Sequence, residues 1–186
     1  RLSFGMQSAD DRQLRALGRR HTAGGFAAAV KAARQCGFEH LSFDLMLATP
    51  GQTNADIDSA VKLCAQLGAE HVSAYLLKIE QGTPLAARHI EAECPDEDGQ
   101  ADLYLYAVEA LARQGYEQYE ISNFARGGCV ARHNLKYWDG KEYLGVGPAA
   151  HSFVNGRRFF FPRDLAAFLQ ADEPFSLCVD DGLGGG

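Results

Sequence analysis

Leu41-Ser42-Phe43-Asp44-Leu45-Met46-Leu47-Ala48-Thr49-Pro50-Gly51-Gln52-Thr53 reads as an apolar strand that halts at a Pro-Gly turn and gives way at once to a helix start. Side chains alternate along a strand, so Phe43, Leu45 and Leu47 share one face and Ser42, Asp44 and Met46 the other. An Asp inside such a strand faces solvent or a polar cavity. Helical patterns precede and follow it, which favours the cavity. Asp44 is therefore a candidate ligand-holder beneath the turn, with a structural ion pair to Arg19 as the alternative. A buried carboxylate must be paired or hydrogen-bonded, because an isolated one costs several kcal/mol or more.

Outward from this strand the chain alternates. Leu2–Gln7 reads as a strand with Leu2, Phe4 and Met6 on one face and Ser3, Gly5 and Gln7 on the other. Ser8, with Asp11 three residues on, predicts a brief helix start, and Thr22 caps a second helix closing at Gly37. Thr53 and Asp56 form a capping box for a helix through Ile57, Val61, Cys64 and Leu67. Val72–Leu77 predicts a third strand, Gln100–Gln114 an amphipathic helix, and Tyr116–Ser122 a further strand. Asn155-Gly156 between two apolar runs predicts a type I′ hairpin, and a last short helix follows Pro162.

Strand–helix alternation with glycine helix stops implies an α/β fold with a parallel sheet and crossover helices. A sheet covered by helices on both sides would be apolar on both. One small or polar face instead predicts a partial (β/α) barrel with a wet interior. Ligands in such folds bind at the carboxyl ends of the strands, where Gln7, Asp44 and the Pro-Gly turn lie.

Composition narrows the function. The 186 residues suffice for one sizeable core. A net charge of −6 with scattered Lys and Arg argues against nucleic acid as a partner. No run of about 18 apolar residues is long enough to span a membrane. Five cysteines without metal-ligand spacing predict reduced thiols in the cytoplasm, Cys36 and Cys64 as small core residues. Arg1 lies inside a strand pattern and the chain closes on DDGLGGG, so a piece of a longer protein is expected.

Two further stretches bear on chemistry. Gly145-Val146-Gly147-Pro148-Ala149-Ala150 imitates a dinucleotide fingerprint, but it leads into a hairpin rather than a phosphate-binding helix. His133-Asn134-Leu135-Lys136-Tyr137-Trp138 gathers an imidazole, an amide, a phenol and the only Trp. It is either a loop anchored by aromatic burial or a place for a flat aromatic ligand with an imidazole available to haem iron.

Seven stretches in order carry a family resemblance: RLSFGMQS, LGRRH, FDLMLATPGQT, HVSAYLLKIEQGTPL, YEQYEISNFAR, RHNLKYW and YLGVGPAAHS. Together they resemble the radical-SAM proteins related to oxygen-independent coproporphyrinogen III oxidase, and RHNLKYW points to the haem-chaperone branch. The resemblance runs from Arg1 to about Phe161. It implies a partial barrel of the radical-SAM type followed by a short hairpin segment. The expected division is a barrel portion over 1–122, a family-specific extension over 123–174 and a tail over 175–186. It also implies S-adenosylmethionine contacts by Gln7, Arg19 and Asp44, a four-iron four-sulfur cluster and haem, with His133 as the candidate haem ligand.

The cluster motif of the family, C-x-x-x-C-x-x-C, does not occur in this chain, so the cluster ligands are expected outside it and the piece alone is expected to be inactive in radical chemistry. A second departure is Ala48-Thr49 where the family usually has Gly-Leu. The function implied is part of a haem chaperone that delivers haem to recipient haem proteins, membrane-associated ones included. The alternatives are coproporphyrinogen III oxidase and an unrelated barrel that binds some other metabolite.

Overall fold

Leu2–Gln7 (β1), Leu41–Leu47 (β2) and His71–Leu76 (β3) are parallel neighbours in that order. Asp11–Ala16 (α1) and Ala23–Gln35 (α2) connect the first pair, and Asn54–Gln66 (α3) connects the second. Residues 1–182 are described by this computed structural model, which forms two compact units, one over Arg1–Val130 and the other from Ala131 onward. Positions 183–186 of the tail expected over 175–186 lie outside the described residues.

The first unit continues through Glu97–Arg113 (α4), Glu117–Gln118 (β4) and Asn123–Ala125 (β5), giving a five-stranded sheet ordered β1-β2-β3-β5-β4. It is an open sheet, as a partial barrel requires. Of the strand expected over Tyr116–Ser122 only Glu117–Gln118 is extended in the sheet; it pairs antiparallel with β5, which lies beyond that range and also runs antiparallel to β3. The reversal is local: Tyr119 N–H donates to the Asn123 carbonyl and Ser122 N–H to the Glu120 carboxylate. No crossover helix separates β4 from β5, so a parallel pairing is out of reach.

Helices α2, α3 and α4 pack against one face of the sheet. Phe4, Phe26 and Phe43 meet edge-to-face, the last two with centroids 4.9 Å apart. Around them Met6, Val30, Leu45, Ile57, Val61, Cys64 and Leu111 close the core. Burial of each large side chain there contributes roughly 1.5–3 kcal/mol.

Helix starts follow side-chain chemistry. Thr53 and Asp56 make the expected capping box, and Thr22 caps α2. The first helix begins later than expected, because the Asp10 carboxylate, not Ser8, accepts from Arg12 N–H. Ser8 is occupied elsewhere, its hydroxyl donating to Gln13 Oε1 at 2.7 Å. Cys64 is buried as expected, but Cys36 is exposed, since it lies at the C-cap beyond the last buried turn of α2.

In the second unit Arg132–Trp138 (α5) precedes the hairpin of His151–Val154 (β6) and Arg157–Phe160 (β7). Asn155 and Gly156 have φ of +52° and +71°, the signs a type I′ turn demands. Leu165–Gln170 (α6) starts at the Asp164 cap, and Val179–Asp180 (β8) adds a third strand beside β7. Among the described residues no helix is long and apolar enough to cross a membrane.

Candidate functional site

The face of the first sheet opposite that core carries the polar side chains. Asp44 is half-buried in β2, beside Ser73 of β3 in register. Ser3 Oγ donates to Asp44 Oδ1 at 3.5 Å from the other side. Burial pushes the Asp44 carboxyl above the ordinary carboxylate range, and the hydroxyls of Ser73 and Ser3 pull it part of the way back. Ser73 Oγ also lies 2.7 Å from Asn123 Oδ1. Its single proton serves one acceptor at a time, which leaves Asp44 with acceptor capacity for a ligand hydroxyl or ammonium. Arg19 is not its partner; among the described residues the two form no ion pair, and serine hydroxyls take that place.

Gln7 ends β1 with a φ of +66°, where the register with β2 shifts between Phe4 and Gln7. The side chain folds back over Gly5, where a Cβ would lie 2.6 Å from Gln7 Nε2. A side chain at position 5 would displace the Gln7 amide from this place. Gln7 is 7% exposed, and its buried Oε1 has no hydrogen-bond partner. Such an orphaned acceptor costs about 1–3 kcal/mol unless something donates to it.

Arg19 lies in the connection from α1 to α2, exposed, with its N–H donating to the Leu14 carbonyl. Gln7 and Asp44 thus share the wet face on adjacent strands. Arg19 follows the helix that begins just beyond the carboxyl end of β1.

Sequence reasoning missed a second part of this face. Ser42 Oγ lies 2.8 Å from His71 Nδ1, and His71 Nε2 lies 2.7 Å from the Tyr119 hydroxyl. His71 is 2% exposed, and burial, reinforced by the charge of Arg1, lowers its pKa to about 4. The imidazole is neutral at pH 7 and links three elements. The signal was present as alternation in His71-Ser73-Tyr75, one residue before the expected strand start.

In the second unit, His133 Nε2 lies 3.0 Å from the Tyr137 hydroxyl one helical turn on, and the Tyr137 ring meets Tyr143 at 4.5 Å between centroids. No residue of α5 is buried, and Trp138 is 58% exposed. Aromatic burial therefore does not explain this segment. The glycine-rich stretch before β6 ends in a strand, as expected, and Gly145 is needed because a Cβ would collide with the His151 carbonyl oxygen.

With this geometry in place, the comparisons with known proteins are consistent. No protein-family model matches the sequence. The heme chaperone HemW of Mycobacterium tuberculosis is 42% identical over 162 residues, which cover 86% of this chain and 42% of that protein. The chain is HemW-like in sequence. The mouse mitochondrial radical S-adenosyl methionine domain-containing protein 1 is 39% identical over 153 residues, 81% of this chain and 35% of that protein.

The HemW-like chain thus spans less than half the length of these relatives. Its fold is that of coproporphyrinogen III oxidase (HemN) from Escherichia coli, described as a radical SAM enzyme. The TM-score is 0.73 at 22% identity, covering 91% of this chain and 42% of that one.

Two groups implied by this kinship fare differently against the residues present. An orphaned Gln7 acceptor, a half-buried Asp44 and an exposed Arg19 suit a ligand with an amine, hydroxyls and a carboxylate, as S-adenosylmethionine has. The four-iron cluster does not fit this chain's own residues: among those described, no three His, Cys, Asp or Glu side chains come together to hold a metal.

Proposed function

We propose that this chain is part of a cytoplasmic haem chaperone that binds haem and passes it to recipient haem proteins, membrane-associated ones included. The barrel portion, 1–122, holds S-adenosylmethionine and the extension, 123–174, holds haem. The exposed His133–Tyr137–Trp138 segment carries this reading, because an imidazole beside uncovered aromatic rings suits a flat ligand with an axial metal position.

On the wet sheet face, Gln7 Oε1 accepts a hydrogen bond from the bound ligand, Asp44 accepts from an amine or ribose hydroxyl, and Arg19 pairs the methionine carboxylate. S-adenosylmethionine supplies, when bound, a sulfonium open to reductive cleavage. The residues named here bind and orient it.

The alternative is oxidative decarboxylation of coproporphyrinogen III, favoured by the fold alone. Incubating the full-length protein with haem, and separately with coproporphyrinogen III, separates the two. A Soret band that His133→Ala weakens, with no vinyl product, supports the chaperone. Turnover to protoporphyrinogen overturns it.

A further inference from the structure

The segment between β3 and α4 is tied down at the carboxyl end of the parallel strands. Leu77 N–H donates to the Leu47 carbonyl, and the Glu93 carbonyl accepts from Gly51 N–H in the turn after β2. Ala86 and Ile90 are buried and anchor the stretch between. From that stretch Arg88 reaches across to α1, where its Nη1 donates to the Ala16 carbonyl at 2.8 Å.

Ala16 is the last residue of α1, and a helix leaves its final carbonyls without internal partners. Here the neighbouring ones are closed by a Schellman arrangement. Gly18 N–H donates to the Arg15 carbonyl and Arg19 N–H to the Leu14 carbonyl, with Gly18 at φ +70°. Arg88 takes the Ala16 carbonyl of the same cap, and Arg19 is the residue that leaves it. The cation also complements the negative end of the helix.

The geometry points to Arg88 as the positioning residue for Arg19. By holding the Ala16 carbonyl, its guanidinium sets the direction in which the end of α1 presents Arg19 to the carboxylate of an amino-acid-bearing ligand. Because the same segment holds the turn after β2, the two ligand-facing connections are braced by one stretch of chain. The inference rests on the assignment of Arg19 to that carboxylate.

Equilibrium dialysis of the full-length protein against S-adenosylmethionine and against its decarboxylated analogue tests it. The wild type prefers the carboxylate-bearing ligand, and Arg19→Met abolishes the preference. Arg88→Met is expected to reduce affinity for S-adenosylmethionine about tenfold, the loss of one charge-assisted contact. It leaves the analogue's affinity unchanged, and Arg88→Lys restores part of the preference. The double variant binds no more weakly than Arg19→Met alone.

Equal weakening of both ligands by Arg88→Met, or losses that add in the double variant, overturn the positioning role while leaving Arg19 in place. A preference that survives Arg19→Met overturns the assignment of Arg19, and with it the inference. Should Arg88→Met not fold, Arg88→Ser, too short to reach the Ala16 carbonyl, carries the comparison: a selective loss for S-adenosylmethionine supports the role, and equal affinities to wild type overturn it.

Discussion

Ala48 and Thr49 occupy an awkward place as β2 leaves the sheet. Ala48 has a φ of +57°, a left-handed conformation that costs a residue with a Cβ roughly 1–2 kcal/mol. Gln52 holds it there, accepting from Ala48 N–H at 2.7 Å and donating to the Met46 carbonyl at 3.0 Å. Thr49 is wholly buried, and its hydroxyl has no partner. The Gly-Leu usual in the resembling family relieves both strains at once.

Ala48→Gly is therefore expected to stabilise by about 0.5 kcal/mol, part of the released strain being lost to greater freedom of the unfolded chain. Thr49→Val keeps the shape, removes the orphaned hydroxyl and is expected to add about 1 kcal/mol. Urea midpoints with unchanged slopes check both. A lowered midpoint for Thr49→Val means that the hydroxyl has found a donor or acceptor.

At the scale of elements, His71 joins β2 through Ser42 and the β4–β5 connection through Tyr119. Its folded pKa of about 4 lies below the ordinary histidine value near 6.5. Between those values the unfolded chain binds the proton and the folded chain does not, so stability falls as pH drops from about 6.5 towards 4. The loss is on the order of 2–3 kcal/mol. Asp44, with a raised pKa, acts in the opposite sense just above the ordinary carboxylate range. Melting temperatures of the wild type and His71→Gln across this window isolate the histidine contribution: the acid decline flattens in the variant. Parallel declines in the two proteins would remove His71 as the cause.

At the scale of the whole chain, β1 is the outer strand of the sheet and, among the described residues, pairs only with β2. Its far side presents backbone groups to any strand that can add to it. The 186-residue chain is expected to self-associate through this edge. A lysine placed at Ser3, an exposed position on that strand, should shift the population towards monomer in sedimentation velocity. A wild-type chain that already sediments as a monomer and melts sharply contradicts this.

Much of the architecture was legible in residue order. Period-two alternation in LSFGMQ and LSFDLML placed the parallel strands and their polar face, and the Thr53–Asp56 and Asn155-Gly156 signals placed a helix start and a hairpin within a residue or two. These are local properties, governed by backbone geometry and short-range hydrogen bonds.

Contacts between distant residues were not legible. Nothing in spacing reveals that Ser3 and Ser73, rather than Arg19, would attend Asp44, or that Arg88 would close a helix 72 positions earlier. Periodicity also missed the reversal at Tyr119–Ser122, because a few β-favouring residues read alike in one strand or two. Local chemistry thus determined which segments are strands and helices and which face is wet. Only the folded chain decided which polar groups meet on that face, since their partners depend on how the strands lie side by side.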